Sequence, residues 1–429
     1  MRAGLPLILA ASLTLAACQG DNSDPSTASA MNPASVQQNL LTLVPQQRLS
    51  SAQEGRLNTV RGRAANVRSH VARLADAPAQ LLRQGSALRL AVEPGVQVVA
   101  VGERVQRRAD NDISWSGPVQ GAHGWVQMVL SEEGVTATVT IGTEQYTIEP
   151  LGNGLHAVSK LDQNKLPPEH TPDNPSGALF DGGRVINDAI GAAVEARAAE
   201  GDVGIAALTT INVMVVYTAS AASAAGNITS KIQLAVDETN QSYVNSGINI
   251  SFNRVYTGQV TYSEAGRSFS QHVSALQSTT DGLMDNVHTL RNTYAADVVV
   301  LVVNDTEACG QAAAIKAVAT SSFAVADQSC ITGYYSFGHE IGHLQGARHD
   351  RFVDGTLSPY QYGHGFIPST KNWRTIMAYG NNCANCTRIQ WWSNPLKTYP
   401  STGQVMGTTT YEDNARVLNL TAPTVAAFR

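Results

Sequence analysis

The 429-residue chain is 43% hydrophobic, 15% charged and 6% aromatic, with 36 Gly and a net charge of −5. This composition is that of a soluble globular protein of two or three domains, and it excludes a collagen-like repeat or a charge-expanded disordered chain. So small a negative charge offers no general attraction to polyanions, so nucleic acid is not expected as a partner.

Met1 and Arg2 precede an apolar stretch, residues 5–17, of signal-peptide length. Leu15-Ala16-Ala17-Cys18 resembles a bacterial lipobox, which implies removal of residues 1–17 and acylation of Cys18; Gln19 then favours the outer membrane. An ordinary secretory signal is the alternative, and either way export is expected. Residues 18–51 are mostly Ser, Ala, Asn, Gln, Pro and Asp and are read as a flexible tether. Over 52–84 the spacing of Val60, Val67, Val71, Leu74 and Leu81 predicts helix. Alternating segments over 86–160, such as GWVQMVL and ATVTIGTEQYTIEPL, predict a small antiparallel β domain within a 52–165 region. Residues 166–205, rich in Pro, Asp and then Ala, read as an exposed connector that is easily cut. From 206 to 429 strands such as INVMVVYT and DVVVLVVND alternate with amphipathic helices, predicting a layered α/β domain closed by a helix near 414–427.

Four cysteines remain after Cys18, and export makes them candidates for disulfides. Cys309 with Cys330 and Cys383 with Cys386 are the favoured pairs because each is local. Residues 19–205 carry 15 Lys plus Arg against 20 Asp plus Glu, whereas 206–429 carry 13 against 14. An acidic N-terminal region can cover a cationic site, although unpatterned negative charge is ordinarily solvated surface.

The chemistry is concentrated in HEIGHLQGARHD, residues 339–350. On a helix His339 and His343 share a face and can offer two imidazoles to one ion, while Glu340, about 100° round, lies beside the open coordination position as a general base would. A straight helix cannot supply the third corner of a tetrahedron. Gly346 can end it at positive φ and turn His349 back to the ion. Three neutral His ligands around one Zn²⁺ leave a position for water, and hydrolysis of protein or peptide substrates then needs no covalent intermediate.

This motif resembles that of the metzincin zinc endopeptidases, whose second hallmark, a methionine in a tight turn under the zinc, is matched by Met377 in TIMAYG, 28 residues after His349. Tyr379 is similar to the tyrosine that astacins and serralysins bring near the metal, implying a group that stabilises the oxyanion. HEIGHLQGARHD, YGHGF, WRTIMAYG, RIQWWSNP and DNARVLNLTAPTVAAFR together resemble the bacterial, reprolysin-like peptidyl-Asp metalloendopeptidase family from about residue 211 to 429. Upstream, ISWSGPVQG and YTIEPLGNGLHAVSKLD look like the β-rich propeptide of such enzymes. The resemblance implies an α/β (α+β) metzincin catalytic domain with a twisted mixed sheet and an active-site helix, preceded by a propeptide-like β domain. It implies Asp350 as a support for the loop, a monomer, and cleavage before acidic residues, chiefly Asp. A cation must then read the P1′ carboxylate; Lys371, Arg374 and Arg388 flank the Met-turn, with Arg388 preferred for its bidentate guanidinium. His364 is read as structural or substrate-lining. Phe180-Asp181-Gly182-Gly183 reads as a plain turn, and the absence of cysteine from 19–205 removes a cysteine-based latency device. Two other functions stay open: a peptidase preferring apolar P1′ residues, and a non-catalytic exported scaffold.

Overall fold

The computed structural model describes residues 37–44, 48–171, 178–181 and 208–429, with 178–181 described through its backbone alone. The signal-like residues 1–17, Cys18, tether residues 19–36 and 45–47, and residues 182–207 lie outside the described residues. Among the described residues no helix is long and apolar enough to cross a membrane.

Ten strands form the first sheet: β1 (Gln38–Leu43), β2 (Asn66–Leu74), β3 (Ala87–Glu93), β4 (Val96–Val101), β5 (Arg104–Ala109), β6 (Asp112–Pro118), β7 (Gly124–Ser131), β8 (Gly134–Ile141), β9 (Glu144–Gly152) and β10 (Leu155–Leu161). Their order is β4-β3-β1-β2-β10-β9-β8-β7-β6-β5, and only β1 with β3 is parallel. Alternation explains the burial. Val126, Met128 and Leu130 on β7 and Val135, Ala137 and Val139 on β8 enter one apolar cluster, while Gln127, on the other face, donates to the Asp237 carbonyl at 3.3 Å.

Two sequence expectations are corrected here. The supposed tether contributes β1, whose Leu40 and Leu41 are buried between β2 and β3. The predicted 52–84 helix survives only as Ser51–Gly62, capped by Ser50 with Gln53 in a capping box, plus a single turn at Pro78–Leu81. Between them β2 hydrogen-bonds to β10 along seven register positions, and tertiary pairing overrides a spacing of three and four that also suits a helix.

The second sheet holds β11 (Ala178–Asp181), β12 (Thr209–Tyr217), β13 (Ile250–Gln259), β14 (Val298–Val303), β15 (Gly310–Ile315) and β16 (Phe323–Asp327) in the order β11-β15-β16-β14-β12-β13. Only β15 with β16 is antiparallel. Both faces are covered. Val298, Val300 and Val302 enter one core and Val299, Leu301 and Val303 the other, so VVVLVV reads as an unbroken apolar run. The helix Ile228–Ser246 begins at Asn227, whose side chain accepts the Ser230 N–H at 3.1 Å, and packs between this sheet and β7 of the first. The segment before β14 holds two helices, Phe269–Gln277 and Asn286–Thr293, and the last helix, Asn414–Val425, lies where the sequence puts it. Residues 178–181 form an edge strand parallel to β15, not a turn. Both local disulfides form, Cys309 with Cys330 and Cys383 with Cys386.

Candidate active site

The helix Ser336–Leu344 carries His339, Glu340 and His343, all buried, and packs on β15 and β16 of the second sheet. Two glycines let it sit there. A Cβ on Gly310 of β15 would stand 2.3 Å from Glu340 Oε1, and one on Gly342 would stand 2.7 Å from the Trp392 ring and 3.2 Å from Met377 Sδ. The helix stops as the sequence implies. Gly346 takes φ +103, its N–H and that of Ala347 bond back to His343 and Gly342, and the chain returns with His349.

His339 Nδ1 donates to the Ile376 carbonyl and His343 Nδ1 to the Ala347 carbonyl, each at 2.9 Å. A carbonyl can only accept, so the proton sits on Nδ1 and each Nε2 presents a lone pair. His349 Nε2 lies 3.2 Å from His339 Nε2 and 3.0 Å from His343 Nε2. Burial lowers the pKa of both helix histidines, that of His343 to about 4, so these rings stay neutral. Lone pairs buried this close repel unless a cation lies among them. A tetrahedral ion with nitrogens at about 2.0–2.1 Å needs them about 3.3–3.4 Å apart, so the donor set fits zinc.

His349 is held from behind. His364 Nδ1 donates to its carbonyl at 2.8 Å, and Arg348 N and Gly365 N tie the loop to 363–365. His364 is therefore structural, and Asp350 supports the loop by accepting the Tyr379 N–H at 2.8 Å. Met377 is fully buried beneath the helix, and the Tyr379 ring stacks on His349 with centroids 4.5 Å apart.

Among the three cations near this turn, Lys371 is exposed and bonds to Asn382. Arg374 is buried against Tyr334, donating to its hydroxyl at 3.2 Å. Arg388, fully buried on β18 (Thr387–Arg388), which pairs with β17 (Trp373–Arg374), lies 4.2 Å over the same ring and is the one ion-paired at the site. Its partner is Glu169.

Glu169 and His170 are the residues that sequence reasoning missed, and they correct the exposed-connector expectation for the start of 166–205. Both are buried. Glu169 Oε2 lies 2.7 Å from Arg388 Nη1 and its Oε1 accepts from Ser336 Oγ at 3.0 Å. His170 lies over the open side of the cluster, its ring centroid 5.3, 5.4 and 4.7 Å from those of His339, His343 and His349. One nitrogen of each of the four rings lies within 4.8 Å of the others. The remaining contacts of His170 are Glu340 Oε1 at 3.1 Å and the Tyr379 hydroxyl. Burial pushes the Glu340 carboxyl well up, with Glu169 adding to the shift and Arg388 opposing it. The available signal was Pro167-Pro168-Glu169-His170, a stiff extended run that carries the connector's single histidine.

A buried three-imidazole cluster with an adjacent carboxylate on an α/β scaffold defines a metallopeptidase. The sequence profile of metallo-peptidase family M12 matches residues 207–393. Peptidyl-Asp metalloendopeptidases from Stenotrophomonas maltophilia K279a and Xanthomonas campestris pv. campestris are 43% and 41% identical over 310 and 304 residues, covering 70% of this chain in each case and 70% and 69% of the relatives. One from S. maltophilia R551-3 is 39% identical over 78% of this chain and 81% of its own. The chain therefore belongs to the M12 metallopeptidases and, among them, to the peptidyl-Asp metalloendopeptidase family; it is a metalloendopeptidase.

Proposed function

We propose that the chain is an exported zinc endopeptidase of the metzincin type that cleaves proteins and peptides before acidic residues, chiefly Asp. The observation that carries this is the convergence of three buried Nε2 atoms, two of which, on His339 and His343, present lone pairs because their Nδ1 protons are tied to carbonyls. His339, His343 and His349 are the assigned ligands, with Met377 as the apolar floor below them. When bound, zinc supplies Lewis-acid activation of water and of the peptide carbonyl. Glu340, whose Oε1 faces the open side of the cluster, takes the proton of the attacking water and delivers it to the departing amine. The Tyr379 hydroxyl, on the same side, hydrogen-bonds the developing oxyanion.

Arg388 is the assigned reader of the P1′ carboxylate. Its guanidinium is fully buried and paired with a carboxylate in the intact chain, so an acidic side chain is favoured there over an apolar one. Export and a lipid anchor at Cys18 belong to the same proposal and rest on residues 1–18; the β-rich residues 37–161 act as a propeptide. The test is Glu340→Gln: zinc content measured by mass spectrometry stays at one per chain, while turnover of a peptide containing an Asp falls about 10²–10⁴-fold. Substantial residual turnover would remove Glu340 from its role.

A further inference from the structure

The segment 167–171 meets the site through three separate sets of contacts. Its backbone pairs with the start of β15, where Cys309 N–H donates to the Pro168 carbonyl at 2.7 Å and Gly310 N–H to the Glu169 carbonyl at 3.1 Å. That strand would otherwise be the sheet's edge, and β11 continues along it in parallel register from Ala178 opposite Ala312. Edge-strand addition is how a sheet takes up an extended peptide. The second set is Glu169 with Arg388 and Ser336, and the third is His170 with Glu340, Tyr379 and the three-histidine cluster. A charged pair and an imidazole buried together at the assigned catalytic groups go far beyond what a connector needs. Burying such groups without full pairing costs several kcal/mol in general.

Direction matters as well. In a substrate cleaved before an acidic residue, the scissile carbonyl precedes the acidic side chain along the chain. Here the order is inverted: Glu169, at Arg388, comes first, and His170, at the cluster, follows. The segment therefore runs opposite to a substrate. It fills the acidic subsite without presenting its own peptide carbonyl to Glu340 in a cleavable register.

We propose that Glu169 and His170 form a built-in, reversed substrate mimic that keeps the intact chain latent: His170 is a fourth protein ligand closing the metal site, and Glu169 takes the place of the substrate's acidic P1′ side chain at Arg388. The idea rests on the peptidase reading and on Arg388 as the P1′ reader. The two nitrogens of His170 face Tyr379 and Glu340; when one of them turns to the metal, the ring still stands between the cluster and both groups, so the base and the oxyanion donor are screened from substrate together. Cutting the chain within 172–207 separates the mimic covalently from the domain it blocks and lets it leave. Arg388 is then an uncompensated buried cation that selects an acidic side chain from the incoming peptide.

The experiment uses the zinc-loaded chain from residue 18 to 429, both intact and cut within 172–207, with His170→Ala and Glu169→Gln as variants. Zinc X-ray absorption counts the bound imidazoles: four in the intact wild type, three in intact His170→Ala and in the cut wild type. In parallel, cleavage of a quenched peptide containing one Asp is about 100-fold faster for intact His170→Ala than for the intact wild type, and about 10-fold faster for Glu169→Gln, as expected when an intramolecular inhibitor of millimolar effective concentration is weakened. Three imidazoles in the intact wild type overturn the proposal. So does an intact His170→Ala chain that stays silent while the cut wild type is active. A cut wild type that hydrolyses nothing defeats the peptidase reading instead, and the imidazole count still decides the role of His170. If Glu169→Gln has no effect and cuts fall before apolar residues, the subsite mimicry fails.

Discussion

His156 on β10 makes the stability of the first sheet depend on pH in a direction that can be worked out. Its side chain is completely buried, its Nε2 accepts the Val135 N–H at 2.9 Å, and the Cβ position of Gly134 lies only 2.5 Å from that nitrogen. A proton on Nε2 would face another donor with no room for water, and burial holds the imidazole at about 4 against an ordinary 6.5. The unfolded chain takes up this proton below pH 6.5 and the native chain does not until about pH 4, so the contribution is fully present above 6.5 and is lost as pH falls through that window. A difference of about 2.5 pH units corresponds to about 3 kcal/mol. His156→Gln keeps an acceptor for Val135 but cannot titrate. Urea unfolding followed by the fluorescence of buried Trp115 gives both stabilities from pH 7.5 to 4. The wild type's stability relative to the variant falls by about 3 kcal/mol between pH 7 and 4. Curves that stay parallel would refute the reasoning, because the other titrating groups are common to both proteins.

Gly346→Ala forces a Cβ onto a residue at φ +103 and sets it 3.1 Å from the Tyr360 ring, so stability falls by about 1–3 kcal/mol and zinc affinity falls with the displacement of His349, read by thermal unfolding and a zinc-chelator competition. Removing the metal leaves three imidazole nitrogens buried against one another, so the cut chain melts at a lower temperature in the presence of a chelator and recovers on addition of zinc. An unchanged melting temperature would argue that the cluster is not a metal site.

Much of the site was legible because its determinants are local. His339 and His343 are one helical turn apart, Gly346 sits where positive φ is needed, and Asp350 reaches the Tyr379 N–H from the loop it stabilises. The disulfides join cysteines 21 and 3 positions apart. The misreadings have a common physical origin in long-range partners. Gln38–Leu43 looks like tether because its burial depends on β2 and β3, and 66–74 has apolar spacing compatible with either period until β10 pairs with it. Glu169 and His170 find their partners 219 and 170 positions away, at Arg388 and Glu340, a relation that no local pattern encodes. The sequence preference for Arg388 has no local basis that separates it from Arg374, and only the fold shows that Arg388 is the one buried with an anion.

The proposed activity is that of a zinc peptidase that selects acidic residues. It is tested most directly by digesting a denatured protein mixture with the chain cut within 172–207, with and without a chelator, and sequencing the new N-termini by mass spectrometry. New N-termini that begin predominantly with Asp and vanish with the chelator are the predicted result. Chelator-insensitive cuts, or chelator-sensitive N-termini with no excess of acidic residues, would contradict it.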